Sequence, residues 1–236
     1  MKTLEVLHIP TLDKQRVPVK TLIEQLQPSS VNKKLITTHI GSIYVVSILN
    51  EQTIHFRAFK DDEYSYQSIY VFEITLKRND SLTELSSLIH SAFPEPTILL
   101  LKYGDKEYIS AAPKHINKLD SSKSVVDDVV VVNVDKGYEN LDLSKVTVKH
   151  LKEYYETIIK KLYKLSVYNL TNVYPTSEFN YKEMVKQYNK INAKINRLKE
   201  EYKQASMKSE QMDIDDKIYD EEQKLKKLME ELGAFQ

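Results

Sequence analysis

Apolar positions recur along this chain in three rhythms: the spacing of a helix, the alternation of a strand, and the three-four repeat of a coiled coil. In "VPVKTLIEQLQ", residues 17–27, Leu22, Ile23 and Leu26 stand at helical spacing behind a proline, which predicts a short helix. "SIYVVSILNEQTIHFRAF", residues 42–59, holds two β-rich runs either side of Asn50-Glu51-Gln52 and predicts a hairpin. A third strand follows in "SIYVFEITLKRND", residues 68–80, and then "DSLTELSSLIHSAF" predicts a helix. Its apolar face is Leu82, Leu85, Leu88 and Ile89, with Asp80 or Ser81 as cap and Pro94 and Pro96 as stops. "TILLLKYGDKEYISAA" reads as two strands around a Gly104-Asp105 turn, and "SVVDDVVVVNV", residues 124–134, as one more.

The rhythm changes after residue 140. "LSKVTVKHLKEYYETIIKKLYKLSVYNL" is helical, with Leu151, Tyr155, Ile158, Ile159 and Leu162 on the side expected to dock on the sheet. Beyond the break at "TNVYPTSEFN", Tyr181, Met184, Tyr188, Ile191, Ile195, Leu198, Tyr202 and Ala205 alternate spacings of three and four, as in a coiled-coil seam. After "SMKSEQ" a second seam runs through Ile214, Ile218, Leu225, Leu228 and Leu232. The predicted fold class is therefore α/β: a mixed sheet with packed helices over residues 1–140, a docking helix over 141–175, and a C-terminal antiparallel helical hairpin over 176–236.

Charge sharpens the last element and narrows the rest. Residues 181–205 carry seven basic and three acidic side chains and residues 210–232 four and nine, so two consecutive helices of opposite sign favour an antiparallel pair. Over the 236 residues, 34 basic and 34 acidic groups cancel, so no whole-molecule field draws the chain to nucleic acid or an anionic membrane. Cysteine is absent, which removes disulfides and thiol chemistry. Together with an opening stretch that lacks a signal-peptide core, this predicts a cytoplasmic protein with no membrane partner. Four glycines, at 41, 104, 137 and 233, leave no phosphate-cradling loop.

Candidate chemistry is sparse. Strand alternation puts Val71, Glu73, Thr75 and Lys77 on one face and Phe72, Ile74 and Leu76 on the other, so Glu73 is not obliged to enter the core. With Asp61, Asp62 and Glu63 upstream, this arrangement resembles in outline the restriction-endonuclease-like superfamily, whose core also runs helix, three strands, helix, strand. The resemblance implies a catalytic set of Asp62, Glu73 and Lys77 with Mg²⁺ as cofactor. The residues depart from that pattern: Thr75 stands where a lysine is expected, and Lys77 lies one same-face position too far along. The alternative is a polar face turned to a helix or to solvent, with no cofactor. The six histidines show no zinc spacing, and no metal ligand set is predicted.

Two other groups suit binding. The segment after the second hairpin concentrates Lys114, His115 and Asn117, chemistry suited to a phosphate or a carboxylate. Lys182, Lys186, Lys190 and Lys194 recur every fourth residue, a row that could track a DNA or RNA backbone or flank the acidic neighbouring helix.

Several segments together resemble the bacterial and archaeal family known as domain of unknown function 4391. They are "LDKQRVPVKTLIEQL", "IYVFEITLK", "FPEPTILLLKYGDKEYISAAPKHINKLDSSK" and "LDLSKVTVKHLKEYYETIIKKL" with the closing heptads, and the 93–123 block is the most specific. Glu73, Lys77, Tyr103, Gly104, Lys114, His115, Ile116 and Asn117 match the family pattern. The resemblance implies no established activity. It implies a setting beside DNA helicases and methyltransferases in restriction-like or phage-defence gene clusters. The expected function is accordingly a non-catalytic adaptor whose hairpin contacts a protein partner, such as a helicase or methyltransferase, or a second copy. The second expected surface spans Tyr103 to Lys118. A metal-dependent nuclease and a nucleic-acid-binding module are the alternatives.

Overall fold

A computed structural model describes residues 2–120 and 123–234. In chain order its elements are α1 (Lys2–Val6), β1 (Gln15–Val17), α2 (Val19–Leu26), α3 (Ser30–His39), β2 (Ile40–Leu49), α4 (Glu51–Ile54), β3 (Phe59–Lys60), β4 (Ser65–Tyr66), β5 (Ile69–Leu76) and α5 (Leu82–Ala92). Then come β6 (Thr97–Tyr103), β7 (Lys106–Ala111), β8 (Lys114–Ile116), β9 (Ser124–Val126), β10 (Val130–Asn133), a 3-10 turn (Tyr138–Leu141), α6 (Leu151–Thr171), α7 (Tyr181–Gln204) and α8 (Lys208–Ala234). The chain divides into two compact units, Met1–Leu165 and Ser166–Gln236, and the division falls within α6.

The first unit is built on a six-stranded sheet in the order β1-β2-β5-β6-β7-β10. Only β5 and β6 run parallel, joined by the crossover helix α5; every other pairing is antiparallel. Phe72, Ile74 and Leu76 of β5 and Leu99 and Leu101 of β6 form one buried face, covered by Leu22 of α2, Ile36 of α3, and Leu85 and Ile89 of α5. Gly41 sits where β2 bends against β5: a Cβ there would lie 3.1 Å from the Thr75 carbonyl oxygen, so only glycine fits without displacing the strand.

Several local expectations are corrected. The run after Asn50 does not return as a hairpin strand. Asn50 instead caps the single turn α4, its side chain accepting from the amides of Gln52 and Thr53 while Thr53 Oγ1 accepts from the Asn50 amide. Asn50 and Thr53 thereby form a reciprocal capping box, so helix nucleation prevails over strand propensity here. Of "TIHFRAF", only Phe59 enters a strand, in the two-residue pairing β3-β4. The strand that flanks β2 on its outer side is instead the three-residue β1, upstream of α2, and α3 lies unanticipated before β2, capped by Ser29. Ser81 is the residue before α5, but in left-handed conformation (φ 54°) with no side-chain cap. Finally "SVVDDVVVVNV" splits: β9 pairs with β8, and β10 extends the main sheet beside β7.

The second face of the sheet is also covered. Val71, Ile98, Leu100, Ile109 and Ala111 are all fully buried there, as is Leu7, just after α1. From α6, the Tyr155 hydroxyl donates to the Thr97 carbonyl at 2.6 Å and accepts from the Ala112 amide at 3.1 Å.

In the second unit α7 and α8 pack together through the predicted seams. Ile195 and Leu198 of α7 are buried, as are Ile214, Ile218, Leu228 and Leu232 of α8. Leu198, Ile214 and Ile218 form one cluster with Ala205 against it.

Candidate functional site

Glu73 lies mid-way along β5, opposite Tyr44 of β2 and Leu100 of β6. Its face alternates as read from the sequence, yet the residue is only 7% exposed, because that face too is covered. Of the two settings the alternation allowed, a helix or solvent against a metal-binding neighbour, the carboxylate has, among the described residues, neither solvent nor an acidic partner beside it but two lysines of the same unit. Two ammonium groups meet it: Lys14 Nζ at 2.6 Å, from the segment leading into β1, and Lys102 Nζ at 3.2 Å, from β6. Lys102 stands opposite Thr75, so it is the diagonal neighbour of Glu73 on the same face. Burial by itself would raise the carboxyl pKa; the hydrogen bonds and attraction of Lys14 and Lys102 outweigh it and hold the pKa below the ordinary range. One strand further on, Glu107 accepts from Thr3 Oγ1 at 2.8 Å, so the amino-terminal segment contributes a partner to both carboxylates of this face.

The three candidate catalytic residues are engaged separately. Lys77 Nζ donates to the Thr37 carbonyl at 3.2 Å rather than to Glu73. Asp62 lines a cavity of about 410 Å³ with Lys60, Asp61, Ser65, Pro94 and Glu95, and Glu73 is not among its walls. Among the described residues no group of three or more His, Asp or Glu side chains is placed to hold a metal ion. Sequence reading missed Lys14 and Lys102 as partners of Glu73, because pairing across a sheet leaves no periodic mark in the chain.

The 103–118 region also comes apart. Tyr103 is 37% exposed and lies beside the Gly104 turn, opposite Lys106. Lys114 lies beyond the other end of β7, about 17–20 Å of strand away. Its ammonium is buried and donates to three carbonyls at the end of α5: His90 at 2.7 Å, Phe93 at 2.7 Å and Glu95 at 2.6 Å. Ser124 Oγ takes the Pro94 carbonyl at 2.6 Å and the Tyr70 amide that of Pro96 at 2.9 Å. The "FPEP" turn, rich in prolines that cannot donate, thus has all four of its carbonyls bonded, those of Phe93 and Glu95 by Lys114 and those of Pro94 and Pro96 by Ser124 and Tyr70. Burial pulls the Lys114 pKa down to about 7. Next to it, the fully buried His90 is held neutral by desolvation, with Nδ1 2.5 Å from Thr97 Oγ1 and Nε2 3.0 Å from Ser110 Oγ.

Lys114 is therefore a helix-capping cation rather than an open ligand contact. His115 lies 3.3 Å from Asp127. Asn117 accepts from the Leu119 amide and lines a second cavity of about 520 Å³ with Gln25, Leu26, Ala92 and Lys123.

On α7 the lysine row winds rather than staying on one side. Every-fourth spacing drifts by about 40° per step on a helix of 3.6 residues per turn. Lys186 reaches Glu183 at 3.6 Å, and Lys194 has come round to the seam, where it meets Glu221 of α8 at 2.7 Å. Lys190 is exposed, and Lys182 is half-buried. Glu221 fills the gap in the second heptad run between Ile218 and Leu225 and is only 5% exposed. Hydrogen bonds from Lys194 and from Lys224, also at 2.7 Å, hold its pKa below the ordinary range.

This arrangement occurs in a chain that matches, over residues 9–225, the family described as domain of unknown function DUF4391. The chain belongs to that family. The match takes in the sheet, the Lys114 junction and most of the hairpin, so the specific 93–123 block of DUF4391 acquires a structural account in the capping of "FPEP". No curated protein and no solved structure matches the chain. No described helix is long and apolar enough to cross a membrane.

Proposed function

We propose that this DUF4391 member is a non-catalytic adaptor of a DNA-processing, restriction-like or phage-defence system, with a helicase or methyltransferase as partner. The setting is the one its family resemblance implies. The observation that carries the non-catalytic reading is the pairing of Glu73, the acidic side chain of β5, with two lysines. A carboxylate accepting from two ammonium groups is neutralised by the protein itself, and a divalent cation would have to displace both. The hairpin is the partner-binding element in this reading, since its seam is internally satisfied and its outer surfaces are open.

The decisive measurement is cleavage of linear, circular and single-stranded DNA in Mg²⁺ or Mn²⁺ by the wild-type chain and by Glu73→Ala. No cleavage by either is expected. Metal-dependent cleavage by the wild type that Glu73→Ala abolishes would overturn the adaptor reading in favour of a nuclease. Duplex binding that is lost when Lys182, Lys186 and Lys190 are reversed to Glu would favour a nucleic-acid module.

A further inference from the structure

The distal half of the hairpin exposes large apolar side chains: Met207, Met212 and Tyr219 lie outside the two seams, and Tyr202 stands at the open end of the α7 seam. Tyr202 is 38% exposed, Met207 63%, Met212 70% and Tyr219 62%. Met212 and Tyr219 are seven residues apart, two turns along α8 and so on one side of it, and Tyr219 follows the seam residue Ile218 by one position, which sets this side about 100° from the seam. They form a second apolar stripe on a helix whose first stripe, Ile214 and Ile218, is already buried against Leu198.

The surroundings of this stripe are net acidic. From Met207 to Asp220 the chain carries five carboxylates against two lysines, and Asp215 and Asp216 lie between the two exposed anchors, both open to solvent. A second copy docking patch to patch would bring acid against acid, which opposes self-association through this face. An apolar stripe with i, i+7 anchors and an acidic border is complementary to a helix that is apolar on one side and basic on the other. Tyr and Met suit such a contact, Tyr as a large low-entropy anchor and Met as an adaptable one.

We infer that the Met212–Tyr219 face of α8 docks a basic amphipathic helix of a protein partner. The inference rests on the adaptor reading and gives its partner a chemistry. The test uses the full chain and a fluorescein-labelled 20-residue peptide with Leu on one helical face and Lys on the other, followed by anisotropy at near-physiological salt. A companion peptide has Glu in place of Lys.

The expected result is saturable binding of the basic peptide, at least about tenfold weaker to the Met212→Ser/Tyr219→Ser double variant and at least about tenfold weaker for the acidic peptide. Both side chains are exposed, so the variant keeps its fold, checked by unchanged helical circular dichroism. Absence of binding to the wild type, or equal binding by the variant, overturns the inference. A concentration-dependent dimer in light scattering that the double variant abolishes also overturns it, by giving the face to a second copy. DNA cleavage dependent on Glu73 would defeat the adaptor reading whatever the peptide does, whereas peptide failure without cleavage defeats this surface alone.

Discussion

Each unit of the molecule buries one glutamate against two lysines, and the two do it by opposite routes. Glu73 is met by Lys14 from 59 residues away and by Lys102 from the neighbouring parallel strand. Glu221 is met by Lys224 three residues on, along its own helix, and by Lys194 across the hairpin. The sheet unit's pair exists only when strands distant in sequence are in register. The hairpin's pair follows from a repeat, because any residue at a seam position of an antiparallel pair faces the other helix. Burial of a carboxylate has different consequences in the two settings: in the sheet it fixes the amino-terminal segment to the central strands, and in the hairpin it favours one register over its neighbours.

The contrast breaks most severely where the sheet unit depends on a single remote cation. Lys114→Met leaves three carbonyls at the end of α5 without their donor and is expected to destabilise the chain by about 3 kcal/mol in urea titration. Lys114→Arg relieves little of this, since a planar guanidinium cannot reproduce a three-way ammonium contact. Lys102→Met comes next. It leaves Glu73 to Lys14 alone, whose side chain is 55% exposed, so a loss of about 2 kcal/mol is expected, less than for a fully enclosed pair. In both variants the helical signal of the hairpin should persist beyond the transition of the sheet, monitored by circular dichroism at 222 nm.

Glu221→Leu sharpens the comparison from the other side. It completes the apolar seam, so the urea midpoint of the hairpin should rise or stay level, while specificity of pairing falls. The check is light scattering: association present in the variant and absent in the wild type is the expected outcome.

Acid tests the sheet unit's pair directly. The folded pKa of Glu73 lies below its unfolded value, so its contribution is complete above the ordinary carboxylate range and disappears as pH falls through the depressed value. Glu73→Gln should therefore flatten the fall in stability below about pH 4.5, the ordinary glutamate range, and leave the neutral limb parallel to wild type, measured as urea midpoint against pH. The smallest effect is expected at Lys190→Glu, an exposed position outside the seam. A change within about 0.5 kcal/mol is expected there.

These two regions also differ in how readably the sequence encodes them. The heptads of α7 and α8 name residues that are buried or half-buried, Tyr202 apart, and the missing apolar position at 221 is visible as a gap. Strand alternation likewise divided Phe72 and Ile74 from Val71 and Glu73. It does not disclose whether the second face is covered, because alternation reports which way a side chain points and not what lies opposite. The same limit hid the place of Lys114: a cluster of Lys, His and Asn after a strand looks like a binding loop until the carbonyls of residues 90–95 are brought to the ammonium. Asn50 shows a local failure of another kind, where a capping box overrode two strand-like flanks.

By itself the amino-acid sequence determined the mixed α/β class, the positions of β5, β6, β7 and α5, and the helical hairpin with its charge asymmetry. Those features rest on periodicity and turn chemistry within a few residues of each other. Only the tertiary structure decided that β1 and β10 complete the sheet, that Asp62, Glu73 and Lys77 are engaged separately, and that lysines from positions 14, 102 and 114 neutralise or cap buried groups. The physical reason is that a charge buried in a sheet takes its partner from whichever strand or segment the fold brings alongside, and that choice is made by register and crossover rather than by any local pattern.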